Sequence, residues 1–207
     1  VETLAAQTMR FGLQGRVSGS HLTSMHSMDN YYVSKLIPLI AEAQMNAIPN
    51  PLINITLQGR ADTYPKRRGM TRVPELMAAG VNVAFGHDCV MDPWYSMGSG
   101  DMLEVGHMAV HVAQMTSIEG KKQVFNSLTV NSAKALGLEG YGLEKGCNAD
   151  FVVLQARDSL EALRLKANRL TVVKRGKIIA ETPQRVSALN LEGRPSSVDG
   201  ADYAPQG

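Results

Sequence analysis

Cysteine is scarce. Two cysteines in 207 residues, Cys89 and Cys147, cannot build a disulfide framework, and a reducing, cytoplasmic compartment is the expectation. An excess of one charge is also missing. The 21 Lys and Arg against 19 Asp and Glu leave a formal net charge of +2, which speaks against a surface built for nucleic acid or an anionic membrane. No apolar run reaches the ~18 residues of a membrane-spanning helix. The opening VETLAAQTMRF lacks the basic start, apolar centre and small-residue cleavage site of a signal peptide. No repeat of fixed period is visible. What is present is a 44% hydrophobic content, ordinary for a globular chain and incompatible with wholesale disorder. At about 150 residues per domain, the length allows one or two domains. The first residue is Val1, inside a helical pattern, so the expectation is a piece of something longer.

The apolar pattern alternates. Residues 1–14 read as a helix and 16–21 as a short strand ending in His21. A helix follows, with Leu36, Leu39, Ile40 and Ala43 at i, i+3, i+4 and i+7, and Pro38 kinks it or marks its first turn. Residues 47–55 read as a strand weakened by Pro49 and Pro51, and 57–72 as a polar, basic loop. A short helix over 74–80, an apolar strand over 81–88, and helices over 101–115 and 120–137 complete the order. Strand–helix alternation predicts an α/β domain with parallel strands. Beyond Gly146 the chain turns β-rich, at 149–156 and at 169–182 around Gly176, and 183–207 reads as a loose tail rich in Pro, Gly, Ser and Asp.

In parallel α/β folds, ligands bind at the C-terminal ends of strands. His21, the Asn54 region and His87–Asp88 stand there. A carboxylate such as Asp88 can bind a metal and take a proton from metal-bound water; it can equally cap the next helix. His21 is a ligand candidate or a satisfied structural histidine. Trp94, the one tryptophan, lies in the long loop after Asp88, either as a lid over a planar substrate or as an anchor for its own loop. His107 and His111 share one helix face, but Met108 stands where a zinc-protease helix needs Glu, and a structural pair is expected. The Lys66, Arg67, Arg68 run, flanked by Arg60 and Arg72, reads as a solvated or ion-paired loop. Cys89 and His26 carry weaker cases.

The blocks NPLINITLQGRADTYPKRRGMTRV and VAFGHDCVMDPWYSMGSGDMLEVGHM, with SHLTSMHS before them and NSAKALGLEGYGLEKGCNADFVVL and VVKRGKIIA after, closely resemble bacterial cytosine deaminases of the amidohydrolase superfamily. The resemblance implies the C-terminal part of a (β/α)8 barrel over 1–140, strands six to eight with their helices. Part of a small β-sandwich follows over 141–182, then the tail over 183–207. It implies a hydrolase that converts cytosine to uracil and ammonia with one divalent metal ion, iron or zinc. Asp88 matches the metal-ligand aspartate that also shuttles the water's proton, His21 the strand-six histidine beside the hydroxide, and Trp94 a tryptophan lining the substrate pocket; His87 takes no separate role. The partner implied is a small-molecule nucleobase, with no nucleic acid and no membrane, and the intact parent is free to be a homo-oligomer.

The family's H-x-H pair and H-x-x-E arrangement are absent from these 207 residues, and Cys89 stands where familiar members carry a second aspartate. The expectation is therefore a chain that begins just after barrel strand five and is inactive alone. The competing readings are an aminohydrolase for another ring, such as isocytosine, isoguanine or an s-triazine, and a non-catalytic half-barrel module.

Overall fold

The structure is a computed structural model that describes residues 1–198. The chain divides into two compact units, Val1–Glu139 and Gly140–Gly207.

In the first unit, helix α1 (Glu2–Arg10) leads to β1 (Ser18–Ser20), a 3₁₀ turn (Thr23–His26), α2 (Asn30–Glu42) and β2 (Asn46–Ile48). Then come α3 (Pro51–Leu57), α4 (Val73–Ala78), β3 (Asn82–Val83), α5 (Met102–Val112), α6 (Ile118–Leu128) and α7 (Val130–Ala135). The strands form one parallel sheet in the order β1–β2–β3. Parallel neighbours need a long crossover, and α2 between β1 and β2 and α3 with α4 between β2 and β3 supply it. Helix α2 begins where the Asp29 carboxylate accepts the Tyr32 N–H at 2.9 Å, a side-chain cap for an otherwise orphaned donor. Its buried stripe is Val33, Leu36, Ile37 and Ile40. Pro38 lies inside α2, past the first turn, and withdraws the N–H that would pair with the Ser34 carbonyl. The core gathers Met25, Ile40, Met45, Leu52, Val73, Leu76, Val83, Val105 and Val124, all essentially closed to solvent.

The strands are short by their labels, yet backbone pairing runs past them. The Ala84 N–H donates to the Ala47 carbonyl, the Gly86 N–H to Pro49, and the His21 N–H to Ile48. Three chain ends are thus held side by side at one rim of the sheet. At the opposite rim Asn46 pairs in register with Asn82, whose Nδ2 donates to Asn46 Oδ1 at 2.8 Å.

Two expected elements differ. The strand expected over 47–55 ends at Ile48, and α3 starts at Pro51. Proline at the first helical position has no N–H to lose and a φ already suited to the helix. The single helix expected over 120–137 breaks at Thr129 (φ −122°, ψ −95°). The Ser127 carbonyl is taken by the Phe85 N–H at 3.2 Å and the Ser132 hydroxyl at 2.8 Å, so it does not continue the helix.

In the second unit, β4 (Phe151–Leu154), β5 (Arg169–Lys174) and β6 (Lys177–Glu181) form an antiparallel sheet in that order. Arg175 and Gly176 both have positive φ, 48° and 74°. A two-residue hairpin turn that follows the strand twist demands this. Helix α8 (Ser159–Leu165) interrupts the expected run of strands, capped by Asp158 Oδ1 on the Glu161 N–H at 2.8 Å. The expected loose tail over 183–207 contains a small antiparallel ladder, β7 (Ser187–Ala188) with β8 (Ser197–Val198); 199–207 lie outside the described residues. No helix among the described residues is long and apolar enough to cross a membrane.

Candidate active site

The three paired chain ends each deliver a polar side chain. His21 follows β1, Asn50 follows β2, and Asp88 follows the extended stretch after β3. His21 and Asp88 both adopt left-handed backbone, with φ of 63° and 65°. That region costs a non-glycine residue about 1–3 kcal/mol and persists where surrounding structure enforces it. The result is a contact between His21 Nε2 and Asp88 Oδ2 at 3.0 Å, with the two side chains 42% and 30% exposed. The pair is therefore open to solvent from above.

Two buried asparagines support it from below. Asn50 Nδ2 lies 3.1 Å from Asp88 Oδ2, 3.2 Å from His21 Nδ1 and 3.2 Å from Ser20 Oγ. One turn into α3, Asn54 Nδ2 lies 2.8 Å from His21 Nδ1. Asn54 Oδ1 meanwhile accepts the backbone N–H of Asn50 at 3.1 Å. Gly86 makes room for this cluster: a Cβ there would fall 2.2 Å from Asn50 Oδ1.

Asp88 opens the long loop that carries Cys89, Asp92 and Trp94. Cys89 Sγ donates to Asp88 Oδ1 at 3.3 Å. Burial first, then hydrogen bonds to Asp92 and Asp88, push the Cys89 thiol up to about 12, so it is a proton donor to carboxylates and not a ready nucleophile. Asp92 Oδ1 accepts the N–H groups of Tyr95 at 3.0 Å and Trp94 at 2.9 Å. These bonds, the Tyr95 one foremost, hold its carboxyl below the usual range. His87 ties the loop's two ends. Its Nδ1 faces the Cys89 carbonyl at 3.0 Å, and its Nε2 accepts the Gly100 N–H at 3.0 Å. Gly98 packs against this tie; a Cβ there would lie 2.3 Å from the Cys89 carbonyl oxygen and 2.9 Å from His87 Cε1.

The structure thus joins His21 to Asp88. It leaves Trp94 on the loop, 69% exposed, without a hydrogen bond or ring contact to either. Asn50 is the member that the sequence reading missed; the Asn54 region and His87 were marked as strand-tip positions, but without the partners they have here. His107 and His111 stack with ring centroids 4.8 Å apart, and His111 Nδ1 lies 2.7 Å from the His107 carbonyl. His26 Nδ1 is turned onto the Thr23 carbonyl and its Nε2 meets Ser27 Oγ. In the basic loop Arg67 pairs with Asp62 at 3.6 Å, Lys66 bonds the Arg60 carbonyl, and Arg72 bonds the Met25 and Met28 carbonyls, Asn30 and Glu75. These contacts are structural.

A catalytic zinc site uses three protein ligands and keeps a fourth position open. Among the described residues no group of three His, Cys, Asp or Glu side chains could hold a metal ion. Asp88 has the right chemistry for one hard oxygen ligand, but the donor set among the described residues is too small for a complete centre.

A model of the amidohydrolase family matches residues 1–180. The chain belongs to the amidohydrolase family. It is 31% identical over 182 residues to a pterin deaminase of Rhizobium rhizogenes, covering 86% of this chain and 41% of that protein. It is 28% identical over 182 residues to the N-isopropylammelide isopropyl amidohydrolase of Pseudomonas sp. strain ADP, covering 87% and 42%. It superposes with a TM-score of 0.86 on the 5-methylcytosine deaminase of Klebsiella pneumoniae, liganded with 5-fluorocytosine. That match has 39% identity and covers 89% of this chain and 45% of that one. The chain therefore spans less than half the length of these relatives, and its mixed α/β architecture is that of the amidohydrolase fold.

Proposed function

We propose that the protein of which these residues form part is a hydrolytic deaminase of amino-substituted nitrogen heterocycles, with cytosine, converted to uracil and ammonia, as the leading substrate. The observation that carries this reading is the His21–Asp88 contact at 3.0 Å across the tip of β2, between the chain ends that follow β1 and β3. It sits in an amidohydrolase chain that is 39% identical to an enzyme named for a cytosine derivative. Under this proposal the first unit is a segment of a (β/α)8 barrel and the second belongs to the adjoining β-sandwich.

The Asp88 carboxylate takes the proton of the attacking water and passes it to the departing amine, as a general base that becomes a general acid. The His21 Nε2–H donates a hydrogen bond at the same point, where negative charge gathers on the attacking oxygen. Asn50 keeps Asp88 Oδ2 in place through its own N–H. Trp94 is proposed to close over the flat ring from the loop. Iron or zinc, with Asp88 as one ligand and the remainder from outside these residues, would make the attacking water acidic at neutral pH.

The test is ammonia release by the full-length protein, supplied with iron(II) or zinc, from cytosine, 5-methylcytosine, isocytosine, isoguanine, a pterin and an s-triazine. Cytosine or its 5-methyl derivative is expected to rank first, and Asp88→Asn to lower kcat by about 10²–10⁴-fold. Release from none of them, or an unimpaired Asp88→Asn enzyme, overturns the reading. A pterin or a triazine ranking first corrects the substrate.

A further inference from the structure

We propose that Asn50 and Asn54 are positioning residues that fix the tautomer of His21, placing its single ring proton on Nε2, toward Asp88. The inference starts with an amide that is not free to turn. Asn54 Oδ1 accepts the Asn50 backbone N–H at 3.1 Å, so the group presented to His21 Nδ1 at 2.8 Å is the Asn54 NH₂. An amide NH₂ only donates. Nδ1 must therefore offer its lone pair.

A second donor points at the same nitrogen. Asn50 Nδ2 lies 3.2 Å from Nδ1 and shares its two hydrogens among Nδ1, Asp88 Oδ2 and Ser20 Oγ, so it supports the shorter Asn54 bond as a partial donor. Both asparagines are buried, 3% and 2% exposed, so water does not replace them. With Nδ1 committed as an acceptor, the neutral ring carries its proton on Nε2, 3.0 Å from the Asp88 carboxylate. Histidines at functional sites are more often oriented by an acceptor on Nδ1, such as a carbonyl or a carboxylate, which leaves Nε2 with the lone pair. Here the polarity is reversed by the Asn54 amide at 2.8 Å, with Asn50 as a shared second donor.

The consequence rests on the proposed deaminase reading. A His21 held in this tautomer gives a hydrogen bond at Nε2 and does not collect a proton there, so proton transfer falls to Asp88. Removing the asparagine donors then alters the chemical step more than ground-state binding.

The test is ¹⁵N NMR of histidine-labelled, chelator-treated full-length protein at a pH where the rings are neutral. These residues contain five histidines, and His21→Gln assigns the His21 signals. In the unsubstituted protein, Nδ1 of His21 is expected at the shift of an unprotonated ring nitrogen and Nε2 at that of a protonated one. In Asn54→Leu the two shifts converge as the tautomers mix, and kcat falls by about 10–100-fold with little change in KM. A protonated Nδ1 in the unsubstituted protein overturns the inference even where Asn54→Leu does not fold. So does an Asn54→Leu protein that keeps the Nε2–H pattern. An Nε2–H spectrum in a protein that deaminates nothing sustains the tautomer and refutes the proposed function alone.

Discussion

Gly86 is where a single methyl group tests the architecture of the site. Its backbone is not left-handed, so alanine meets no conformational penalty there. The obstacle is steric. The new Cβ would stand 2.2 Å from Asn50 Oδ1, where ordinary contact begins at 3.4 Å. The Asn50 amide must retreat by about 1 Å, and its 3.1 Å bond to the Asp88 carboxylate lengthens with it. Overpacking of this kind costs about 1–3 kcal/mol, and a lost hydrogen bond to a charged group is of similar size, about 1.5–3 kcal/mol. A displacement of that scale beside reacting atoms lowers kcat by about 10²-fold. The assay is a double-mutant cycle of Gly86→Ala and Asn50→Ala, followed by urea unfolding at constant m-value and by kcat for ammonia release. With Asn50 truncated only the milder 3.3 Å approach to Ile48 Cγ2 remains, so Gly86→Ala should become nearly neutral to stability, a coupling of about 1–3 kcal/mol. An equal cost of Gly86→Ala in both backgrounds refutes the reasoning, because the strain would then lie in the backbone.

Three further outcomes are expected. His87→Phe leaves the Cys89 carbonyl and the Gly100 N–H without their partner, a loss of about 1–3 kcal/mol; limited proteolysis should cut faster within 89–100 while far-UV circular dichroism holds, and unchanged cleavage counts against the tie. The Cys89 thiol, raised to about 12, stays protonated until the pH nears that value. Iodoacetamide at pH 8, read by mass spectrometry, should label the half-buried Cys147 first, and equal labelling contradicts this. Glu161 is held below its ordinary 4.5 first by the Arg157 side chain. The stability it contributes is present above pH 4.5 and is lost as pH falls through the lowered value. Glu161→Gln should therefore flatten the acid limb of Tm against pH, and parallel curves for the two proteins exclude this.

The strand–helix order was readable because each apolar run is bounded by Gly, Pro or polar residues. His21 and Asp88 were readable as candidates because they close such runs, while their match to family roles came from resemblance. Asn50 was hidden by burial, and the Asn54 region was marked only as the end of an expected strand. Pro51, Leu52, Ile53 and Asn54 are all enclosed, so the first turn of α3 has no solvent-facing polar side and imitates an apolar strand. The break at Thr129 follows from the Phe85 N–H reaching Ser127, a contact 42 residues apart that no local pattern encodes. Helix α8 did carry a sign: Asp158 and Glu161 stand at the N-cap and N3 spacing that opens helices. The tie through His87 depends on Gly98 and Gly100 returning to it, which spacing does not reveal.

The left-handed backbone at His21 and Asp88 has a bearing on protein engineering. Glycine is the residue that such dihedrals favour, and it offers neither an imidazole nor a carboxylate. A library selected only for heat tolerance is therefore drawn toward the two positions where gain in robustness removes the side chains that the proposed mechanism uses. Under that mechanism stability and turnover are opposed at His21 and Asp88, and thermal screens of this protein need activity as a second filter.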